Sequence, residues 1–269
     1  MELTPLAGIA AAALYLISSV LLLLPVRRGE RIARKGPVLL PAVAGAILHF
    51  LVAMHGVVTG NGLNLDFMNA LTLTAWLMVT LWLFLSWRQP VESLGIAVLP
   101  VAAATLLTTS FHNPATGTTD IELQTHVFFS VSAYGMLGLS ALQAMLLSVQ
   151  SRHLHNHKPG GFIRALPPLS TMEHLLFSMI TAGFVLLTLA LLSGFVFLED
   201  MFAQHVAHKT VLSIAAWILF GILLFGRAKY GWRGKRAVKW TLSAFVLLLL
   251  SYFGSKFVME FLIAAPSAG

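Results

Sequence analysis

Apolar residues along this chain gather into eight runs, each long enough to cross the hydrocarbon of a bilayer. They predict helices over Leu6–Val26, Pro37–Thr59, Phe67–Trp87, Val91–Phe111, His126–Gln150, Glu173–Leu198, His208–Arg227 and Ala237–Ile263. The expected architecture is an all-α polytopic integral membrane protein, a bundle of eight transmembrane helices forming a single domain over residues 1–269. No repeat at a fixed period is visible, nor the paired broken helices that mark many secondary transporters.

The polar positions between the runs are unevenly shared. The first connection carries Arg27, Arg28, Arg31, Arg34 and Lys35, and the third Arg88. The fifth carries Arg152, Lys158 and Arg164, the seventh Arg227, Lys229, Arg233, Lys235, Arg236 and Lys239. Together these are fifteen of the seventeen basic residues; the second and fourth connections have none, and the sixth meets only Lys209 at its helical edge. By the positive-inside rule the odd connections are expected in the cytoplasm and both termini outside. The charges of the first run follow it, which predicts a retained helix and not a cleaved signal.

Composition narrows the picture further. With 58% of residues apolar and 10% charged, the spans consume nearly the whole chain and leave no separate globular domain. The positive charge lies beside helix ends, where it meets headgroups, so the expected partner is the lipid bilayer and no nucleic acid. Cysteine is absent, which excludes disulfides, thiolate metal sites, CxxCH haem attachment and thioredoxin-like chemistry on this chain. P-loop, HExxH and GxSxG motifs are absent too, and no bond-making by this chain alone is expected.

The longest odd connection, Ser151–Met172, holds the alternating His153, His155 and His157 and is expected as a loop, with a short interfacial turn around Phe162–Leu166. Among the even connections, His112–Thr125 is rich in Thr, Asn and Gly, and Glu199–Ala207 is short and acidic. In span five, Ser130, Tyr134 and Gly138 follow His126 at steps of four, on one helix face. Small and hydroxylated side chains suit close helix packing. The same face would also carry His126 to the rim of an outward cavity.

Ten histidines stand in a chain without cysteine, so imidazole is the ligand it can offer to a metal or haem iron. His49 lies near the middle of span two, where a polar ring must face protein, water or a ligand; a hydrogen-bonded core histidine and an iron ligand are both open there. His55, six residues on, lies about 240° round the helix and is expected at the interface. His126 and His208 open spans five and seven, where separate helices could present two imidazoles across one cavity, as a bis-histidine haem requires. His205 could replace His208, and both positions also suit histidines that merely tolerate the interface. His153, His155 and His157 fit a solvated run or a transition-metal site. His112 and His174 fit the interface, and Glu199 with Asp200 fits helix-end solvation or an outer cation site.

Several segments of the second half resemble the cytochrome c assembly membrane proteins of the CcsA/CcmC type. Thr125-His126-Val127 through Ser132-Ala133-Tyr134-Gly135 resembles their HV…Y…A segment. Gly183-Phe184-Val185-Leu186-Leu187-Thr188 with Ser193-Gly194 resembles their GxxLLTxGxxxG helix. His208-Lys209-Thr210 through Trp217 is similar to their PKExxxxxxW segment, Gly231-Trp232-Arg233-Gly234-Lys235-Arg236-Ala237 to their GWRGRRA turn, and Tyr252-Phe253-Gly254 to the following YxG. The matches keep one order across about residues 125–258. The eight-span layout and the entry to span six are closest to the YpjD/HemX-like branch.

The resemblance implies a haem-handling protein of the bacterial inner (cytoplasmic) membrane, with haem b as cofactor. Haem, lipid and another cytochrome c maturation or haem-pathway protein are the implied partners. His126 falls on the family's first external ligand; with the residue reading, His126, His208 and His49 are the candidate iron ligands. Three features depart from the family pattern. Phe197–Ala207 contains no tryptophan where a tryptophan-rich motif is expected, no second external histidine follows the last span, and Phe225-Gly226-Arg227 stands where a membrane histidine is expected. A membrane scaffold or regulator that keeps the fold is therefore the alternative function. A small-solute or ion transporter, with His49 as proton relay, is a further one, weakened by the lack of carboxylates deep in any span.

Overall fold

A computed structural model describes residues 3–30, 32, 35–59, 62–64, 66–109, 121–155, 161–197 and 207–254. Its long helices are α1 (Leu3–Arg27), α2 (Gly36–Val57), α3 (Phe67–Arg88), α4 (Gly95–Thr109), α5 (Ile121–His155), α7 (Leu169–Phe197), α8 (Ala207–Tyr230) and α9 (Gly234–Leu249), with a one-turn α6 (Gly161–Ala165) before α7. Among the described residues eight helical segments are long and apolar enough to span a bilayer, α4 together with its leading 3₁₀ turn Glu92–Leu94. A 22-residue helix such as α2 is about 33 Å long, enough for the hydrocarbon core. The chain is an all-α polytopic membrane protein.

Burial divides the bundle into two packed halves. In the first, α1 lies against α2 and α4, and α3 closes the group; Tyr15, Leu22, Trp82, Leu99 and Leu106 are its fully buried centre. In the second, α5 and α7 pack along each other, with α8 and α9 beside them, over Leu137, Leu176, Phe220, Leu223 and Leu248. The long α5 belongs to both halves. Its Leu139 enters the first core and its Leu137 the second, as a step of two residues, about 200°, requires. Two buried glutamines fasten it to the start of α7. Gln143 Nε2 donates to the Met172 carbonyl at 3.1 Å and Gln150 Nε2 to that of Pro167 at 2.8 Å. Leu40, Phe195 and Val196 stand out from the bundle, well exposed, where hydrocarbon would cover them.

The elements depart from the predicted spans mainly at their ends. Ser151–His155, expected as loop, continues α5, because nothing in that segment breaks a helix before Pro159 and Gly160. The short turn expected at Phe162–Leu166 is α6. α7 begins at Leu169, directly after Pro167 and Pro168, and thus four residues before Glu173. α2 stops at Val57, and Val58–Thr59 pairs with Gly62–Leu63 in a two-residue antiparallel ladder. Asp66 then caps α3 by accepting the Asn69 N–H at 2.8 Å. The last predicted span is α9 followed by a π-helical turn, Leu250–Gly254; its remainder lies outside the described residues.

Candidate functional site

α5 carries His126 in its second turn, half-buried, facing the end of α7. Nδ1 lies 3.0 Å from the Ala190 carbonyl and 3.3 Å from Ser193 Oγ. A carbonyl only accepts, so Nδ1 carries the ring's hydrogen. Ser193 Oγ itself donates to the same carbonyl at 2.9 Å. This leaves Nε2 as the lone-pair nitrogen, with Ser130 Oγ at 3.4 Å, a long contact at the weak end of hydrogen bonding. A neutral imidazole whose Nδ1–H is held by a carbonyl has its tautomer and ring orientation set for ligation through Nε2. The residues present therefore fit a haem iron or another Lewis acid at that nitrogen.

The face that runs on from His126 is used in three ways. Ser130 meets the imidazole, as above. Tyr134 donates to the Leu248 carbonyl at 2.5 Å and lies 2.8 Å from Ser251 Oγ. Gly138 lets Met78 of α3 and Phe245 of α9 close on the helix. Ser213 of α8 donates to Ser251 at 3.1 Å, so the π-helical turn, a distortion that often occurs at functional sites, is tied to both α5 and α8. Tyr252 and Phe253 meet the Tyr134 ring edge-on.

His49 is fully buried in the first half of the bundle, with Nδ1 3.1 Å from Tyr15 Oη. The two rings meet edge-on at 5.8 Å. Gly45 makes room for them: a Cβ there would lie 2.8 Å from the Tyr15 ring. The Thr72 backbone faces the imidazole, but Nε2 closes no hydrogen bond among the described residues. This is the geometry of a packed polar pair with the Thr72 backbone beside the ring. His49 and His126 stand in different halves of the bundle, so the structure does not bring them together.

The other histidines separate cleanly. His208 stands in the first turn of α8, but its side chain lies outside the described residues, as do His112, His157, His205, Glu199 and Asp200 in full. His55 is exposed on the face of α2 away from His49. His153 and His155 are exposed on one helix two residues apart, hence about 200° round, and cannot grip one ion together. His174 is exposed on α7. Among the described residues no three acidic or histidine side chains converge on a metal-sized site.

Reading residues alone missed the partners that make these histidines specific. Tyr15 had a signal, since a hydroxyl in the apolar run of α1, like those of Ser18 and Ser19, needs a partner at membrane depth. Ala190 had none, because its contribution is a backbone carbonyl. Glu173, the predicted start of span six, and Gly234, in the basic turn after span seven, form one contact: the buried Glu173 accepts the Gly234 N–H at 2.8 Å.

Three further contacts join segments that carry the family resemblance. His126 reaches Ser193. Tyr134 touches Tyr252 and Phe253. Trp217 donates to Thr188 Oγ1 at 2.9 Å and stacks on Phe184. These widely spaced motifs are thus the two sides of helix–helix junctions around one half of the bundle.

Comparison with known proteins agrees. The family described as cytochrome C assembly protein matches residues 35–263. The inner membrane protein YpjD of Escherichia coli (strain K12) is 31% identical over 206 residues, covering 74% of this chain and 77% of that protein. Protein HemX of Bacillus subtilis (strain 168) is 27% identical over 207 residues, 73% of this chain and 74% of HemX. The cytochrome c biogenesis protein CcsA of Trieres chinensis is 22% identical over 258 residues, 80% and 81% of the two chains. No solved structure gave a significant match. With its helix junctions built from the segments that carry the likeness, the chain belongs to the cytochrome c assembly protein family, alongside the YpjD and HemX branch.

Proposed function

We propose that this protein holds haem in the bacterial inner membrane, near the outer face, for a cytochrome c maturation or related haem pathway. One observation carries the proposal: His126 has Nδ1 on the Ala190 carbonyl, which leaves Nε2, 3.4 Å from Ser130 Oγ, as its lone-pair nitrogen. His126 is the first iron ligand in this reading, and His208, in the opening turn of α8, supplies the second imidazole. His49 is a separate intramembrane candidate through Nε2, which closes no hydrogen bond among the described residues. The names of the CcsA relatives, cytochrome c biogenesis proteins, and of YpjD, an inner membrane protein, support the pathway and the compartment.

Haem b, when bound, supplies an iron that accepts imidazole nitrogen and a macrocycle for delivery. The chain's own residues fix the tautomer of His126, orient its ring and offer basic side chains to anionic groups. Bond-making belongs to a partner protein of the same pathway.

The test is the visible spectrum of the detergent-purified protein, expressed with haem supplied, as isolated and after dithionite. A stoichiometric Soret band with sharp reduced α and β bands, shifted or lost in His126→Ala, is the expected result. A spectrum and affinity unchanged in His126→Ala would overturn the assignment of that residue. No haem even after reconstitution would put the scaffold reading first, in keeping with the missing tryptophans of Phe197–Ala207.

A further inference from the structure

One face of α7, closed at its end by Arg227 of α8, forms a shallow lateral groove that takes no part in the His126 site. Its volume is about 800 Å³, and His174, Ser178, Thr181, Val185, Leu186 and Arg227 are among its walls. Along α7 the positions 174, 178, 181 and 185 recur at helical spacing, and all four side chains are exposed. The order of chemistry on this face is graded. A histidine and two hydroxyls come first, from the end where α7 begins; Val185 and Leu186 follow. From residue 174 to 185 the helix rises about 16 Å, close to the depth of one hydrocarbon leaflet.

Arg227 closes the polar end. It lies in the last turn of α8, its guanidinium 4.7 Å above the Phe177 ring, with Nη1 donating to the Trp232 carbonyl at 3.3 Å. Those two contacts fix the fork in place. Its remaining N–H groups make no hydrogen bond among the described residues. Lys229, Arg233, Lys235 and Arg236 gather on the same end, and the nearby Glu173 carboxylate is turned to the Gly234 N–H. The groove therefore carries one cation of its own, Arg227, at its polar end, and its wall becomes apolar along α7.

We infer that the groove is a binding site for one anionic phospholipid of the leaflet next to the basic connections. The phosphate would sit on Arg227, the glycerol ester region beside His174 and Ser178, and an acyl chain along Thr181, Val185 and Leu186. A held guanidinium with spare donors suits a phosphate. The Thr181 hydroxyl beside the acyl chain is already spent on the Phe177 carbonyl at 2.9 Å, so it meets hydrocarbon without an unpaired donor. A peptide or a second copy of the chain has no reason to match this gradient of polarity.

The experiment is native mass spectrometry of the delipidated full-length protein titrated with phosphatidylglycerol or phosphatidylcholine. Wild type is expected to retain one phosphatidylglycerol, and phosphatidylcholine more weakly. Arg227→Gln should weaken retention about fivefold, the effect of one interfacial cation. Ala182→Phe, which fills the groove without touching Arg227 and guards against a folding defect in the first variant, should abolish it. Lys239→Gln, exposed and away from the groove, should leave it unchanged. Equal retention of the two lipids, equal losses in Lys239→Gln and Arg227→Gln, or full retention in Ala182→Phe would each overturn the site. Displacement of the lipid by inorganic phosphate at equal concentration, or by haem, would overturn the choice of occupant.

Discussion

Glu173, at the second turn of α7, accepts a hydrogen bond from the backbone N–H of Gly234, the first residue of α9, at 2.8 Å. Helix N-termini leave N–H groups without intrahelical partners and favour negative charge, so a carboxylate brought from another helix serves both needs. The contact spans 61 positions of sequence and ties the start of α7 to the turn that joins α8 and α9.

Removing this acceptor should be costly. Glu173→Ala strands a backbone donor in a site where the glutamate residue is 8% exposed, a loss of about 1–3 kcal/mol. Glu173→Gln keeps a carbonyl oxygen for the same N–H and should recover most of it. Thermal unfolding in detergent separates the two variants; equal stability of Glu173→Ala and wild type would show that the contact contributes nothing.

The Tyr15–His49 pair allows a double-mutant cycle. Tyr15→Phe leaves the buried imidazole without its partner and should destabilise by about 1–3 kcal/mol. His49→Leu with Tyr15→Phe should then cost less than the sum of the single changes, since the two groups are in contact. His49→Gln should leave a bound-haem spectrum intact if the pair only packs; an altered Soret band in that variant would make His49 a ligand.

Ser193 shares the Ala190 carbonyl with His126, so it acts on the iron site only through the imidazole. Ser193→Ala keeps the carbonyl anchor. Haem affinity should fall by about tenfold at most, the lower end for groups that orient a ligand, with the spectrum retained. A loss as complete as in His126→Ala would mean that Ser193, not Ala190, sets the ring.

The fold could be read from the chain because hydrocarbon imposes length and polarity directly: every predicted span is a helix over most of its described residues. Ser151–His155 escaped because polar residues mark the edge of a membrane, not the end of a helix, and α5 simply continues out of it. At the site, His126 and the stripe below it were legible from four-residue spacing. Its anchor was not, since a backbone carbonyl on α7 has no sequence signature. His49 was legible as costly at its depth, but only the approach of α1 shows that Tyr15 meets it.

Backbone chirality gives a cleaner test at the α8–α9 turn. Gly231 has φ +64°, and a Cβ there would meet nothing within 4 Å. Gly231→Ala is therefore opposed by conformation alone, at about 1–2 kcal/mol. Gly231→Asn, whose side chain tolerates the left-handed region, should cost less. Unfolding of the two variants side by side checks the order, and an alanine as stable as asparagine would contradict the turn geometry.

The sidedness of the bundle can be decided with single cysteines, because the chain has none of its own. The basic connections are physically joined at one end: Lys35 pairs with Glu92 and donates to the Ser86 carbonyl, α6 touches α1, and Glu173 reaches Gly234. An end that gathers this much positive charge is expected to stay in the cytoplasm. Lys235→Cys, exposed in the first turn of α9, should escape an impermeant maleimide in intact cells and react in inverted membranes. Thr108→Cys, exposed near the opposite end of α4, should do the reverse. Labelling of Lys235→Cys in intact cells would turn the bundle over, put His126 beside the cytoplasm, and remove the outward-facing haem site with it.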